Sequence, residues 1–219
     1  MMMHDVRSRL YVLADHSDAR YRIVMGDDDR LEPMPKEPTL IDFFKHRFVL
    51  TEHLLQSARL AQRAGHNEKI ITACLLHDIA VCGFIRGDHG YYGEQLVQDY
   101  VDPEIAWAVR THQALRFYPD ESIGYTYPER YKEWFGEDYQ PDPYIEHEYQ
   151  QARNHKWYMT SRLVCLNDLY SFEPDVEVTI EEFEDILGRN FRQPKEGLGF
   201  DGSSSAHLWR TILRPNKFL

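Results

Sequence analysis

Apolar residues along this chain recur at helical spacing, and no apolar/polar alternation of strand length appears. Phe43, His46, Leu50, His53, Ser57 and Leu60 fall on one stripe. They predict one long helix from 39 to about 64, stopped at Gly65, with Thr39 and Asp42 spaced as a capping box. Asn67 reads as an N-cap and Glu68 as a first-turn acid, so 70–82 is an apolar helix that stops at Gly83. A glycine-punctuated loop over 83–90 leads to a helix at about 92–100. Asp102 and Pro103 are an N-cap and N1 pair for a helix over 104–117. Residues 118–142 combine Pro119, Pro128 and Pro141 with many aromatics. They predict a long excursion with a short helix near 128–135, either a packed satellite cluster or an aromatic wall over a pocket. Asp142 and Pro143 open a helix to about 172. Thr179 with Glu182 is a capping box for a helix that Gly188 ends.

The fold expected is therefore all-α: a helical bundle over 39–190, with an irregular N-terminal extension over 1–38 and a loop-rich C-terminal tail over 191–219 packing on it. In the extension, 6–14 reads as a short helix and 21–25 as a strand or extended arm. Asp27, Asp28 and Asp29 read as a solvated turn, and Pro33, Pro35 and Pro38 mark an irregular lead-in. The tail spells a dinucleotide-type glycine pattern at Gly197, Gly199 and Gly202. Pro194, Lys195 and Glu196 stand where an apolar strand is needed, so a Rossmann reading fails. The segment reads instead as a flexible loop able to close over a site.

Charge narrows the partners. Asp and Glu number 36 against 25 Lys and Arg, a net −11, which argues against nucleic acid because phosphate binding needs a basic surface. A small anionic substrate stays open, since a bound metal dominates its local field. No apolar run reaches membrane-spanning length, and the start of the chain lacks a basic-then-apolar signal pattern. Cys74, Cys82 and Cys165 have neither zinc-type spacing nor an even count for disulfides. A cytoplasmic protein without a membrane or nucleic-acid partner is the expectation; the oligomeric state is left open.

One dipeptide resists the bland reading. His77 and Asp78 sit together in the apolar run, where both are costly to bury unpaired. Helix neighbours point about 100° apart, so both reach one site only if it lies on the shoulder between them. A metal ion meets that demand, since imidazole and carboxylate suit iron, manganese or zinc; a hydrogen-bonded His–Asp pair is the alternative. His53, His112 and Asp168 recur in equally apolar company, and His89 adds a further ligand type from a loop.

The order His53, His77-Asp78, His89, His112, Asp168 resembles the HD-domain superfamily. Glu52-His53-Leu54-Leu55-Gln56, Ala61-Gln62-Arg63-Ala64-Gly65, Leu75-Leu76-His77-Asp78 and the His89 to Gly93 spacing look most like its mixed-valent diiron oxygenase branch. That branch holds the 2-amino-1-hydroxyethylphosphonate dioxygenases and, further off, myo-inositol oxygenase. The similarity runs over about 40–118 and thins towards Asp168.

The resemblance implies that His53, His77, Asp78, His89, His112 and Asp168 are the metal ligands and the catalytic centre, with Asp78 bridging. It implies two iron ions in a mixed Fe(II)/Fe(III) state; manganese, magnesium or zinc are the alternatives. The chemistry implied is dioxygen-dependent cleavage of a small hydroxylated, anionic, phosphonate-like substrate. The alternative within the superfamily is a metal-dependent phosphohydrolase or phosphodiesterase. Arg116, one turn past His112, matches an anion-anchoring lysine. The family's Tyr and Glu before the first ligand fall on Phe43 and His46, so His46 is expected at the substrate or a ligand. Val81 replaces a substrate-binding histidine. Ala80-Val81 stands where many phosphohydrolases carry glycine-lysine.

Overall fold

In the computed structural model, which describes residues 26, 31–168, 173 and 175–215, Thr39 starts α1 (Leu40–His46), and it and Asp42 cap each other reciprocally. The single helix expected to reach 64 does not form. Phe48 leaves the helical path to pack with Phe43, Phe44 and Trp209, at ring separations of 5.8, 5.4 and 6.0 Å. Val49 gives its N–H to the Cys82 carbonyl at 2.9 Å. Leu50 turns through the left-handed region at φ 58°, and the chain restarts as α2 (Thr51–Arg63). Burial of an aromatic cluster here outweighs one turn of backbone bonds.

Asn67 caps α3 (Glu68–Leu76) by accepting from the Ile70 N–H at 3.1 Å. The apolar helix expected to run on to 82 breaks at His77 and Asp78, and α4 (Ile79–Gly83) resumes after them. Next come α5 (His89–Val97), which starts earlier than expected, and α6 (Pro103–Leu115), capped by Asp102 as predicted. The excursion holds α7 (Glu129–Phe135). The helix expected from 143 to 172 is two: α8 (Pro143–Ala152) and α9 (Tyr158–Asp168). Between them His155 stacks on Trp107 at 4.3 Å and its Nδ1 accepts from the Trp157 N–H, so a side chain takes a bond the helix needs. The Thr179–Glu182 box starts a 3₁₀ turn (Ile180–Phe183) that leads into α10 (Glu184–Asn190); Gly188 lies inside α10 and does not end it.

The tail adds α11 (Ala206–Leu213), which the sequence reading did not anticipate. Its Trp209 is fully buried, packs 4.6 Å from Phe43 and donates to the Leu96 carbonyl at 2.8 Å. The 197–202 segment does not close over a site: Leu198 is buried and its N–H bonds the Pro38 carbonyl at 2.8 Å.

Among the described residues there is no strand, only isolated bridges such as Val101 with Phe191, and the all-α bundle stands. α2, α3, α6 and α9 pack on one another, with α5 and α8 against α6. No helix among the described residues is long and apolar enough to cross a membrane. All three cysteines are buried and unbridged. The elements expected over 6–14 and 21–25, the three-aspartate turn and the stretch 169–172 lie outside the described residues.

Candidate metal centre

The six ligand-type residues come from separate elements and converge. His53 stands on α2. His77 and Asp78 occupy the break between α3 and α4. His89 opens α5, His112 lies in the last turn of α6, and Asp168 ends α9. The break answers the 100° problem posed by the sequence, because Asp78 leaves the helix at φ −102° and ψ 21° and its side chain is re-aimed. Its two oxygens then face different groups. Oδ2 lies 3.8 and 3.9 Å from Nε2 of His53 and His77; Oδ1 lies 3.3 Å from Nε2 of both His89 and His112. Asp168 joins the first group, its Oδ1 standing 2.8 Å from His53 Nε2 and 3.4 Å from His77 Nε2. His53, His77 and Asp78 make one metal-sized cluster; Asp78, His89 and His112 make a second.

The other ring nitrogens decide what these clusters hold. Nδ1 of His77, His89 and His112 lies 2.8, 3.2 and 2.6 Å from the carbonyls of Cys74, Arg86 and Val109. A carbonyl only accepts, so each Nδ1 carries the proton. Burial depresses His112 and, with Arg116 adding to it, pushes His89 down to about 3, so both rings are neutral. A neutral imidazole has one N–H, and here it is spent on the carbonyl. His112 Nε2 lies within hydrogen-bond reach of Asp78 Oδ1 at 3.3 Å, whereas His89 Nε2, at the same distance from that oxygen, makes no hydrogen bond among the described residues. A cation between them would satisfy all three, and imidazoles oriented through backbone carbonyls are the usual way to aim metal ligands. The residues present fit a metal pair.

The first cluster behaves differently without its cation. Burial alone would depress His77, but Asp78 and Asp168 outweigh it and push the imidazole up to about 9 from 6.5. Burial works against ionising Asp78 and Asp168 too, yet the surrounding histidines hold both carboxyls well below the usual range. In the metal-free protein the protonated His77 gives a stabilisation fully present below about 6.5 and lost as the pH rises through about 9. A metal entering at neutral pH must displace that proton. Metal binding is thus expected to release a proton near pH 7 and to tighten with pH up to about 9. Calorimetric titration with Mn²⁺ in buffers of differing ionisation enthalpy measures the release; buffer-independent heats would contradict it.

Close helix contact seats His89. A Cβ on Gly90 would collide with the Arg110 carbonyl, and one on Gly93 would come within 2.9 Å of Val109 Cγ1. Gly90 N–H also donates to Gln113 Oε1 at 2.8 Å. Gly90→Ala should push α5 off α6 at a cost of about 1–3 kcal/mol and empty the His89–His112 position alone. Retention of full metal content would show that this approach does not position His89.

A cavity of about 470 Å³ opens beside the centre, walled by His53, Asp78, Asp168, Val81, Arg116 and Tyr131 among others. His77, His89 and His112 do not reach its wall, so the approach is from the His53–Asp168 side. Arg116 ends α6, and its guanidinium lies 5.1 and 5.4 Å from the rings of Phe117 and Tyr131. Two buried bonds fix that helix end: Tyr125 Oη donates to the Arg116 carbonyl at 2.7 Å, and the fully buried Arg162 donates to the Leu115 carbonyl at 2.8 Å. Sequence reasoning missed Arg162; its signal is a lone Arg one turn after Tyr158 on an otherwise buried face. It also missed the cavity residues Leu50, Pro128, Arg130, Glu173 and Val176. The aromatic excursion does both things expected of it: Tyr125 packs with Leu115, Ala152 and Cys165, while Tyr131 and Trp134 wall the cavity. His46 is not brought to the site. The break after α1 carries it away from the His53 stripe, and its Nδ1 faces Glu32 at 2.7 Å.

Among curated proteins none matches the chain. The HD domain family model matches residues 50–148, a span that holds His53, His77, Asp78, His89, His112 and Arg116 and stops short of Asp168. Residues 50–148 are thus similar to HD domains, and the His/Asp clusters that could hold metal ions, His53–His77–Asp78 and Asp78–His89–His112, lie within that span.

Proposed function

We propose that the protein is a dioxygen-dependent HD-domain oxygenase that uses two irons to oxidise and cleave a hydroxylated, anionic substrate. The observation that carries this reading is Asp78, whose two oxygens face two separate histidine groups. An all-nitrogen-and-oxygen ligand set of this kind suits iron in both oxidation states. Bound there, the metals supply the redox change and the activation of dioxygen.

The chain's own residues do the rest. The carbonyls of Cys74, Arg86 and Val109 fix three imidazoles in one tautomer. Asp78 and Asp168 stay ionised and balance part of the metal charge. Arg116 anchors the anionic group of a substrate that enters from the His53–Asp168 side. Tyr131, buried on the cavity wall, screens that side from water, as an oxidative site requires.

The same ligands in a phosphohydrolase would lower the pKa of a bound water and clamp a phosphate. Against that stands Ala80-Val81, with an apolar Val81 on the cavity wall where many such enzymes carry a lysine. The test is to give the iron-loaded protein hydroxyphosphonates, polyols and phosphoesters, following oxygen uptake and phosphate release. Substrate-dependent oxygen consumption is expected. Anaerobic phosphate release from phosphoesters, sustained by manganese or magnesium, would overturn the proposal in favour of the hydrolase.

A further inference from the structure

The cavity is larger and more apolar than a small hydroxylated anion at the metal centre needs. Its 470 Å³ is the bulk volume of about fifteen waters, and cavities of roughly 300–1,000 Å³ house drug-sized ligands. His53, Asp78, Asp168 and Arg116 give it a polar end at the candidate metal centre. Away from that end the wall is mainly apolar: Leu50, Val81, Cys82, Trp134 and Val176. Two of these stay open to water, Leu50 at 45% and Trp134 at 60% of their full exposure. Large exposed apolar groups around a cavity mark a binding surface.

Leu50 adds a second argument. It holds a left-handed backbone, φ 58° and ψ 25°, that glycine adopts at no steric cost. Its side chain meanwhile contributes little to the core, being nearly half exposed. A leucine kept at such a position is explained by what its side chain does in the cavity.

We infer that the substrate is an amphiphile: an anionic, hydroxylated head at the metal centre and Arg116, and an apolar tail of several carbons lying along Leu50, Val81, Cys82, Trp134 and Val176. This rests on the proposed reading of the centre for the head and on the cavity wall for the tail. Glu52, Arg130 and Glu173 also border the cavity, all three exposed, and they sit where the tail's far end would reach solvent.

The test is a chain-length series of alkylphosphonates and alkanoates, two to eight carbons, titrated calorimetrically into the metal-loaded protein without oxygen. Each added methylene should tighten binding about three- to fourfold until the cavity is filled. Trp134→Ala and Leu50→Gly should flatten the series while leaving the two-carbon ligand's affinity unchanged and the melting temperature no lower. Equal affinity for two- and eight-carbon ligands would overturn the tail and leave the metal-centre reading intact. Tighter binding of an ω-ammonium analogue than of the alkyl compound would overturn it as well, because Glu52 and Glu173 would then be reading a cation. No binding of any member would remove the head as well, and with it the anionic-substrate part of the proposed function.

Discussion

Asp78→Ala will strip the protein of both metals, whereas His89→Ala or His112→Ala will remove only one. The difference follows from geometry. Among the described residues, Asp78 is shared by both clusters, its oxygens 3.3 Å from His89 and His112 on one side and 3.8–3.9 Å from His53 and His77 on the other. Loss of a group that merely orients a ligand costs about 10–100-fold in metal affinity, and loss of a shared ligand must exceed that at both positions. Asp78→Asn keeps the size but halves the oxygens, and it should fall between. Metal content after dialysis, set beside the melting curve of each variant, separates lost ligation from lost fold. An Asp78→Ala protein that kept one metal would assign Asp78 to a single cluster.

Arg116→Leu will weaken binding of the true substrate roughly ten- to hundredfold and leave both metals in place. A charge-assisted bond to an anion is worth about 1.5–3 kcal/mol. Among the described residues the Arg116 Nε has no hydrogen-bond partner, so removing it orphans nothing there; what the fold loses is the guanidinium's contact with the Phe117 and Tyr131 rings, about 0.5–2 kcal/mol. Arg116→Lys should recover part of the loss, since it restores charge without the planar fork. Equal dissociation constants for wild type and Arg116→Leu would take Arg116 out of the site.

The ligand set could be read in the sequence because metal chemistry needs few residue types, and those types are conspicuous in apolar company. His53, His77, Asp78, His112 and Asp168 each stood out as a polar residue that a core does not tolerate unpaired. The capping residues Thr39, Asn67 and Asp102 were legible for a similar reason, since they act over two or three residues. What the chain hid were the breaks. The interruption at Leu50 is imposed by Trp209, which lies far along the chain. The interruption at 153–157 depends on His155 finding Trp107. Helical periodicity carries across both, so a local pattern predicted continuous helices and put His46 on the same face as His53. The break at His77-Asp78 was equally invisible, yet it lets one carboxylate serve two clusters. The cavity wall was hidden too, because Leu50, Pro128 and Val176 become neighbours only in the folded chain. α11 escaped notice because its apolar face is short and its partners lie in α1 and α5.

The most direct test of the account is the metal stoichiometry of the folded, fully loaded protein. Elemental analysis of wild-type protein equilibrated with Fe²⁺ or Mn²⁺ and freed of loosely held ions should give about two metals per chain, as a two-metal centre requires. Electron paramagnetic resonance of the same sample should show the two ions magnetically coupled through Asp78. One metal per chain at saturation, with the spectrum of an isolated ion, would contradict it.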